Sequence, residues 1–511
     1  MSPIGDTVIR KGRKGKDFPF DNKKKVQKIN VTVLTSGRWH MFLFGDTAIR
    51  KGRNKKVCET QTERIMQRIG NCTVVPLLRT ASIQNACRNI QHSCKILIIG
   101  GGTGGCTMAA KFTKQYKEPK QVIVVEPSDI HYYQPLFTLI GGGIKLFKSS
   151  NRPMAQVLPR NAKWIKDSVI TFQPESNNII TSNGDTIQYE IMIVAMGLQL
   201  YWDKIPGLIE GLKNPDSQIC SIYGPEMVTE VFNKIKKVSN GTAVFTFPNT
   251  PVKCPGAPQK IAYIAEDYWQ QKKIRDKLKV VYNTSLPDIF GVKKYADSLW
   301  AVCKKRGIIV NLQTNLLKID PDNREAIFQN LKDPDKTFVQ KYALLHVTPP
   351  MGPPSILKNH TNLTNAAGFL RVDPKTLQHE QYTNIFGIGD CTNTPNSKTM
   401  AAISSQSKVV YRNVMDYLAG KEIRSVYEGY ASCPLVTGYG KCILAEFDYK
   451  LQPLETFPFD QGKEYYMMYW LKKTFFPFLY WNLMLKGNWD GPEVFRKYFN
   501  VFKRKSTESV N

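Results

Sequence analysis

Residues 95–127 read KILIIGGGTGGCTMAAKFTKQYKEPKQVIVVEP. Lys95–Gly100 is a short apolar run rich in Ile, which predicts a buried strand. Gly100, Gly102 and Gly105 form G-x-G-x-x-G. Residues 104–117 read as a helix, and Val122–Val125 as a second strand ending in Glu126, 21 residues after Gly105. Each part has a physical task. Gly100 permits a tight turn, Gly102 lets backbone approach a pyrophosphate, and Gly105 lets helix and strand pack closely. The helix N-terminus offers unpaired N–H groups and partial positive charge to the phosphates. Glu126 is placed to accept from the ribose hydroxyls of an adenosine. The motif alone is weak, but the strand, turn, helix and acid context around it is complete.

Two further segments favour FAD over NAD. YEIMIVAMG (189–197) is an apolar strand ending in a small-residue turn. NIFGIGDCTN (384–393) is a strand ending in Gly389-Asp390, a carboxylate suited to the ribityl chain of a flavin. SKTMAAISSQSKVVYRNVMDYL (397–418) follows as an amphipathic helix whose N-terminus can face the flavin ring. Related flavin reductases carry a second glycine loop for a nicotinamide. Here the corresponding strand, GTAVFTFP (241–248), is followed by NTPVKCPGAPQK (249–260), which has no such loop. The expected electron donor is therefore not a nicotinamide, and Cys254 stands where it would bind.

The net charge of +29 over 511 residues is high and uneven. Residues 1–65 hold 16 Lys and Arg against 6 Asp and Glu. Such charge suggests an anionic surface, lipid or nucleic acid. No aromatic interleaving or fold motif supports nucleic acid, so none is expected. Eleven cysteines are too sparse for a disulfide framework, and no CxxC or zinc spacing is present, so no metal site is expected. Cys220, Cys303 and Cys442 read as small buried hydrophobes.

GDTVIRKGRKGK (5–16) recurs as GDTAIRKGRNKK (45–56). Residues 1–65 read as a basic arm without regular structure, or as upstream sequence wrongly included. Residues 66–94 contain Arg, Ser, Thr and Asn with no Asp or Glu, the composition of a mitochondrial transit peptide, with cleavage expected shortly before Lys95.

Long stretches from residue 245 to 464 now carry a resemblance: FTFPNTPVKCPGAPQK, GVKKYADSL, LLHVTPPM, FGIGDCTNTPNSKT, SCPLVTGYGKCILAEFDYK and FPFDQGKE. From about Lys95 to its end the chain resembles the mitochondrial-type sulfide:quinone oxidoreductases. Residues 1–94 lie outside the resemblance. It implies a flavoprotein with two redox-active cysteines, Cys254 in VKCPGAP and Cys433 in SCPLVTGY, and leaves Cys391 structural. It carries FAD contacts to Thr103, Gly104, Glu126, Gln134, Val169, Asp390, Met400, Ala401, Ala402 and Ile403. It implies hydrogen sulfide as reductant, ubiquinone as electron acceptor, and a small sulfur acceptor such as glutathione or sulfite. Cys254 must then leave as a stabilised thiolate. Lys253 is adjacent, but successive side chains on an extended segment point apart. A helix N-terminus near Pro258 is the other candidate for positive potential. The rival readings are a type II NADH:quinone reductase and a non-catalytic basic flavoprotein.

YYMMYWLKKTFFPFLYWNLML (465–485) is aromatic and apolar. Lys472 and Lys473 would cost about 2.5–3.5 kcal/mol each at mid-membrane, and Pro477 would break a spanning helix. Two short interfacial helices on the lipid surface of the mitochondrial inner membrane, on its matrix side, are expected instead. Phe457 and Phe459 are candidates for the quinone entry. The expected fold is α/β with two Rossmann-like, doubly wound domains. Residues 95–215 plus 340–430 form the FAD domain and 216–339 the domain carrying Cys254. Residues 431–511 form a C-terminal membrane-associating segment with Cys433.

Overall fold

Strand β3 (Gln91–Ile99) leads into the glycine loop, and the computed structural model describes the chain from Gln91 to residue 499. Upstream, the described residues are β1 (Asn30–Thr35) and β2 (Arg38–Leu43), paired antiparallel in a separate first unit. Reading 1–65 as an arm without regular structure missed this pair, whose residues include Val31, Val33, Trp39 and Phe42, all strand formers. The rest of that arm, segment 66–90 and the chain after 499 lie outside the described residues.

Isoleucine and valine runs dictate the first sheet. Strands β4 (Val122–Val125) and β10 (Thr186–Val194) flank β3 in parallel, and β7 (Lys163–Ile165) extends the sheet beyond β4. Burial of every β4 side chain fits a parallel sheet covered on both faces. The N-terminal half of β10 continues into antiparallel β9 (Asn178–Thr181) and β8 (Val169–Gln173). Its C-terminal end pairs with the late strand Ile385–Gly387. β3 begins at Gln91 rather than Lys95, and Gln91–Cys94 pair with Thr186–Tyr189. The boundary placed before Lys95 therefore falls inside a strand. A small hairpin, β5 (Ile130–Tyr132) with β6 (Asn151–Pro153), lies beside the loop.

The second sheet is wholly parallel. Its strands are β11 (Ile219–Cys220), β12 (Gly241–Phe247), β13 (Leu278–Thr284), β14 (Ile309–Asn311) and β15 (Leu344–His346), in the order β11-β15-β12-β13-β14. The boundary drawn at 339/340 is too early. After a three-stranded antiparallel excursion (residues 314–341), the chain returns to insert β15 between β11 and β12.

Three helices position the site. α1 (Thr103–Gln115) starts at the glycine loop. α2 (Ala257–Gln271) follows β12 and is buried from Ala257 to Asp267, with Pro258 in its first turn, where a missing N–H costs nothing. α3 (Met400–Leu418) begins at Thr399, whose hydroxyl accepts from the Ala402 N–H. A hairpin, β16 (Ala431–Gly438) with β17 (Lys441–Phe447), packs on α2. One hydrophobic core runs under both parallel sheets and this hairpin.

The C-terminal segment differs from the expected pair of separate helices. α4 (Tyr466–Trp470), a π-turn (Leu471–Phe475) and α5 (Phe476–Asn482) run on without a break. Pro477 lacks an N–H and crowds the carbonyl four residues back. The wider π-turn ahead of it absorbs this. Lys472 points into the protein and is buried, so it is not the membrane charge assumed from sequence. Among the described residues no helix is long and apolar enough to cross a membrane.

Candidate active site

A cavity of about 680 Å³ opens at the carboxyl ends of the first sheet's parallel strands, the usual ligand crevice of such sheets. Gly100 has φ +100°, and a side chain there would strike the Ala195 carbonyl. A Cβ on Gly105 would collide with the Gly100 carbonyl, so helix and strand approach as the motif requires. A Cβ on Gly102 would meet nothing within 4 Å. No side chain caps α1, leaving its N-terminal N–H groups facing this open cradle. The arrangement fits a pyrophosphate. Glu126 accepts the Gly101 N–H at 2.6 Å and the Ser128 N–H at 2.7 Å, one on each carboxylate oxygen, which leaves each oxygen a further lone pair.

Of the residues singled out from sequence, Gly100, Gly102, Thr103, Gly104, Glu126, Gln134, Asp390, Met400, Ala401 and Ile403 line this one cavity. Gly105 and Ala402 lie just behind the wall, the former under Gly100 and the latter capped by Thr399. Val169 is buried on β8 and is not among the lining residues. Burial raises the Asp390 carboxyl, against the ammoniums of Lys398 and Lys253. Lys253 itself is brought down to about 8, first by burial. It lines the cavity on the Asp390 side, so the neighbour of Cys254 in sequence serves another group.

Cys254 sits in the turn between β12 and α2 with φ +52°, a left-handed conformation costly for any residue but glycine. Two hydrogen bonds hold it there. Its N–H donates to the Lys398 carbonyl at 2.7 Å, and its own carbonyl accepts the Ala257 N–H at 2.8 Å. Cys433, on β16, lies behind it with the two sulfurs 3.9 Å apart. Gly256 makes this approach possible, because a Cβ there would stand 2.7 Å from the Cys433 sulfur. The hairpin is held from below by Asp267 of α2, which accepts the Tyr439 N–H at 2.8 Å and pairs with Lys441 at 3.1 Å.

The charge at the thiols comes from a residue that sequence reasoning missed. Lys260, in the first turns of α2 and 2% exposed, places Nζ 3.1 Å from Cys254 Sγ and 3.5 Å from Cys433 Sγ. Burial acts to lower its pKa, but the two sulfurs outweigh this and hold it raised. Cys254 is held well below the ordinary thiol range, first by the Cys433 S–H and then, against burial, by Lys260 and Lys472. Cys433 is held well above that range by the Cys254 sulfur and by burial. The pair is a thiolate beside a thiol. Lys472 is brought down to about 8 by burial and by the charge of Lys260. The one available signal for Lys260 was a lysine leading into the apolar run IAYIA.

Cys220, Cys303, Cys391 and Cys442 are all buried, as small hydrophobes would be. Burial pushes Cys220 and Cys442 up to about 12 and Cys303 and Cys391 to about 11. Cys391 is fully buried and shares its S–H with the Val194 and Ile388 carbonyls. Phe457 lines the cavity and stacks on Phe459, which turns away toward Tyr465. Among the described residues no metal-binding cluster occurs.

No family model matches the chain. The mitochondrial sulfide:quinone oxidoreductase of Mus musculus is 46% identical over 416 residues, covering 81% of this chain and 92% of that protein. This chain belongs to the mitochondrial sulfide:quinone oxidoreductase family. The Dictyostelium discoideum member is 43% identical, covering 81% of this chain and 90% of its own length. Among solved structures, the sulfide:quinone oxidoreductase of Aquifex aeolicus matches with a TM-score of 0.65 at 18% identity, over 77% of this chain and 92% of that one. That structural likeness speaks for the fold alone. The family's two-sheet architecture is the one expected from the sequence, and its members are oxidoreductases by name.

Proposed function

We propose that this chain is an FAD-dependent enzyme that oxidises hydrogen sulfide and reduces ubiquinone. The observation that carries this reading is the buried Lys260 ammonium shared by two sulfurs 3.9 Å apart, one of which opens onto the dinucleotide cavity. A direct S–S bond is about 2.05 Å, so a disulfide, or a bridge with one more sulfur, closes this gap by a small movement. HS⁻ attacks the Cys433 sulfur of that bridge. The bond to Cys254 breaks, and Cys433 keeps the incoming sulfur as a persulfide. Cys254 departs with the electron pair as a thiolate, and Lys260 stabilises it as a leaving group. FAD, which the glycine loop, Glu126 and Asp390 would hold, would supply the acceptor for that pair and its relay to ubiquinone. A small acceptor such as glutathione or sulfite takes the outer sulfur and leaves Cys433 as a thiolate, which rejoins Cys254 as the bridge, the two electrons of that S–S bond formation being those passed on to ubiquinone.

The absence of a glycine loop after β12 disfavours the NADH reading. Anaerobic titration tests the assignment. Sulfide bleaches the flavin band of the wild type, and NADH does not. Cys254→Ser and Cys433→Ser each keep FAD but lose sulfide bleaching and sulfide-dependent quinone reduction. Bleaching by NADH, or sulfide bleaching that survives in either variant, would sink the proposal.

The same reading places the enzyme on the mitochondrial inner membrane, facing the matrix. Tyr466, Trp470 and Phe478, 45–69% exposed, form an aromatic outer face on the helical C-terminal segment. Inner-facing residues of that segment, including Phe476, Leu479 and Lys472, line the cavity, which gives a bilayer quinone a way in.

A further inference from the structure

α5 reaches the glycine loop through one side chain. Tyr480 is fully buried, and its hydroxyl lies 2.8 Å from Thr103 Oγ1 and 2.6 Å from His131 Nε2. The other ring nitrogen of His131, Nδ1, is 2.9 Å from the Gly101 carbonyl, which also accepts the Cys106 S–H.

The direction of every bond in this chain follows. A carbonyl only accepts, so Nδ1 carries the ring proton. Burial brings His131 down to about 4, so the ring is neutral and Nε2 presents a lone pair. Tyr480 must then donate to Nε2. With its proton committed, its oxygen must accept from Thr103. The protons point from Thr103 to Tyr480, from Tyr480 to His131, and from His131 to Gly101. Gly101 and Thr103 flank Gly102, the open cradle in front of α1. α5 is not free to swing. The Tyr480 ring packs at a tilt against Tyr133, centroids 4.2 Å apart, and the guanidinium of Arg152 on β6 covers Trp481 at 4.2 Å.

We propose that Tyr480 is a positioning residue for the dinucleotide loop, fixing Thr103 directly and the Gly101 carbonyl through His131. The seating of the C-terminal helix then sets how firmly FAD is held. The Thr103 hydroxyl gives its only proton to Tyr480, so backbone N–H groups, not that hydroxyl, face the pyrophosphate. This inference rests on the reading of the cavity as an FAD site.

FAD release separates the two. Purified holoenzyme is diluted into flavin-free buffer, and the rise in flavin fluorescence gives the rate. Tyr480→Phe removes two buried hydrogen bonds, the one from Thr103 and the one to His131, and releases FAD at least roughly tenfold faster than wild type. Thr103→Val removes the first of them and also speeds release, and Thr103→Ser, which keeps the hydroxyl, retains the wild-type rate. The double variant Tyr480→Phe with Thr103→Val releases no faster than the worse single variant, because both remove the same link. The Thr103 pair reports the same link even if Tyr480→Phe does not fold. A wild-type rate in Tyr480→Phe, equal rates for Thr103→Val and Thr103→Ser, or strictly additive effects would each overturn the proposal while the FAD reading stands. Wild-type protein with no flavin spectrum would overturn the FAD reading, and the proposal with it.

Discussion

Gly256 leaves room for nothing larger than hydrogen. Its Cβ would meet the Cys433 sulfur and Leu435 Cδ2, both at 2.7 Å. Gly256→Ala must therefore push the hairpin back, at a cost of about 1–3 kcal/mol by overpacking. Sulfide-dependent turnover is expected to fall at least tenfold with FAD content unchanged, as measured by quinone reduction and the flavin spectrum. Lys472 presents the opposite trade. Its pKa falls from 10.5 to about 8 on folding, so between these values the unfolded chain holds more protons. Stability from this group therefore rises with pH through that window, and below about 8 a buried charge must be maintained. Lys472→Met is expected to raise the melting temperature at pH 7, by up to about 3 kcal/mol of stability, and to slow turnover. The gain shrinks toward pH 10. A melting curve that shifts equally at pH 7 and pH 10 would contradict this. Cys254 was legible because a glycine loop was missing from its place. Lys260 was not, because sequence does not show which lysine is folded inward.

The continuous helical segment 466–482 divides its side chains by face. Tyr480, Trp481 and Lys472 turn inward, and Tyr466, Trp470 and Phe478 turn outward. An aromatic outer face flanked by basic residues suits a lipid headgroup layer. Phe478→Glu with Trp470→Glu is expected to abolish co-sedimentation with anionic vesicles while sulfide still bleaches the flavin. Retained vesicle binding would remove this element from the membrane reading. Sequence correctly put aromatic helix here and mistook the lysine pair. Helical period separates Lys472 from Lys473 by about 100°, enough to send one into the core and the other over the Tyr469 ring. Pro477 also misled, since a π-turn was a cheaper answer than a break.

At the scale of the whole chain, the glycine-loop unit was readable because its parts are local in sequence. β15 was not, because a three-stranded excursion separates it from its neighbours, and a long-range return leaves no periodic mark. The pairing of Cys254 with Cys433 came from resemblance to a family, not from spacing, since they are 179 positions apart. The start of β3 bears on processing. A chain beginning at Gln91 keeps the register with β10, and one beginning at Lys95 loses Gln91–Cys94. The shorter form is expected to melt several degrees lower, by loss of one strand end. Equal melting temperatures would show that those residues add nothing.

α2 has a consequence best put in mechanical terms. Its first turn abuts the Cys254 bend and carries Lys260, and about 10 Å further along Asp267 grips the tip of the hairpin that holds Cys433. Both jaws of the thiol gap are thus mounted on one rod, as in a caliper. A motion of one sheet against the other that carried the rod as a whole would leave the opening between the sulfurs unchanged.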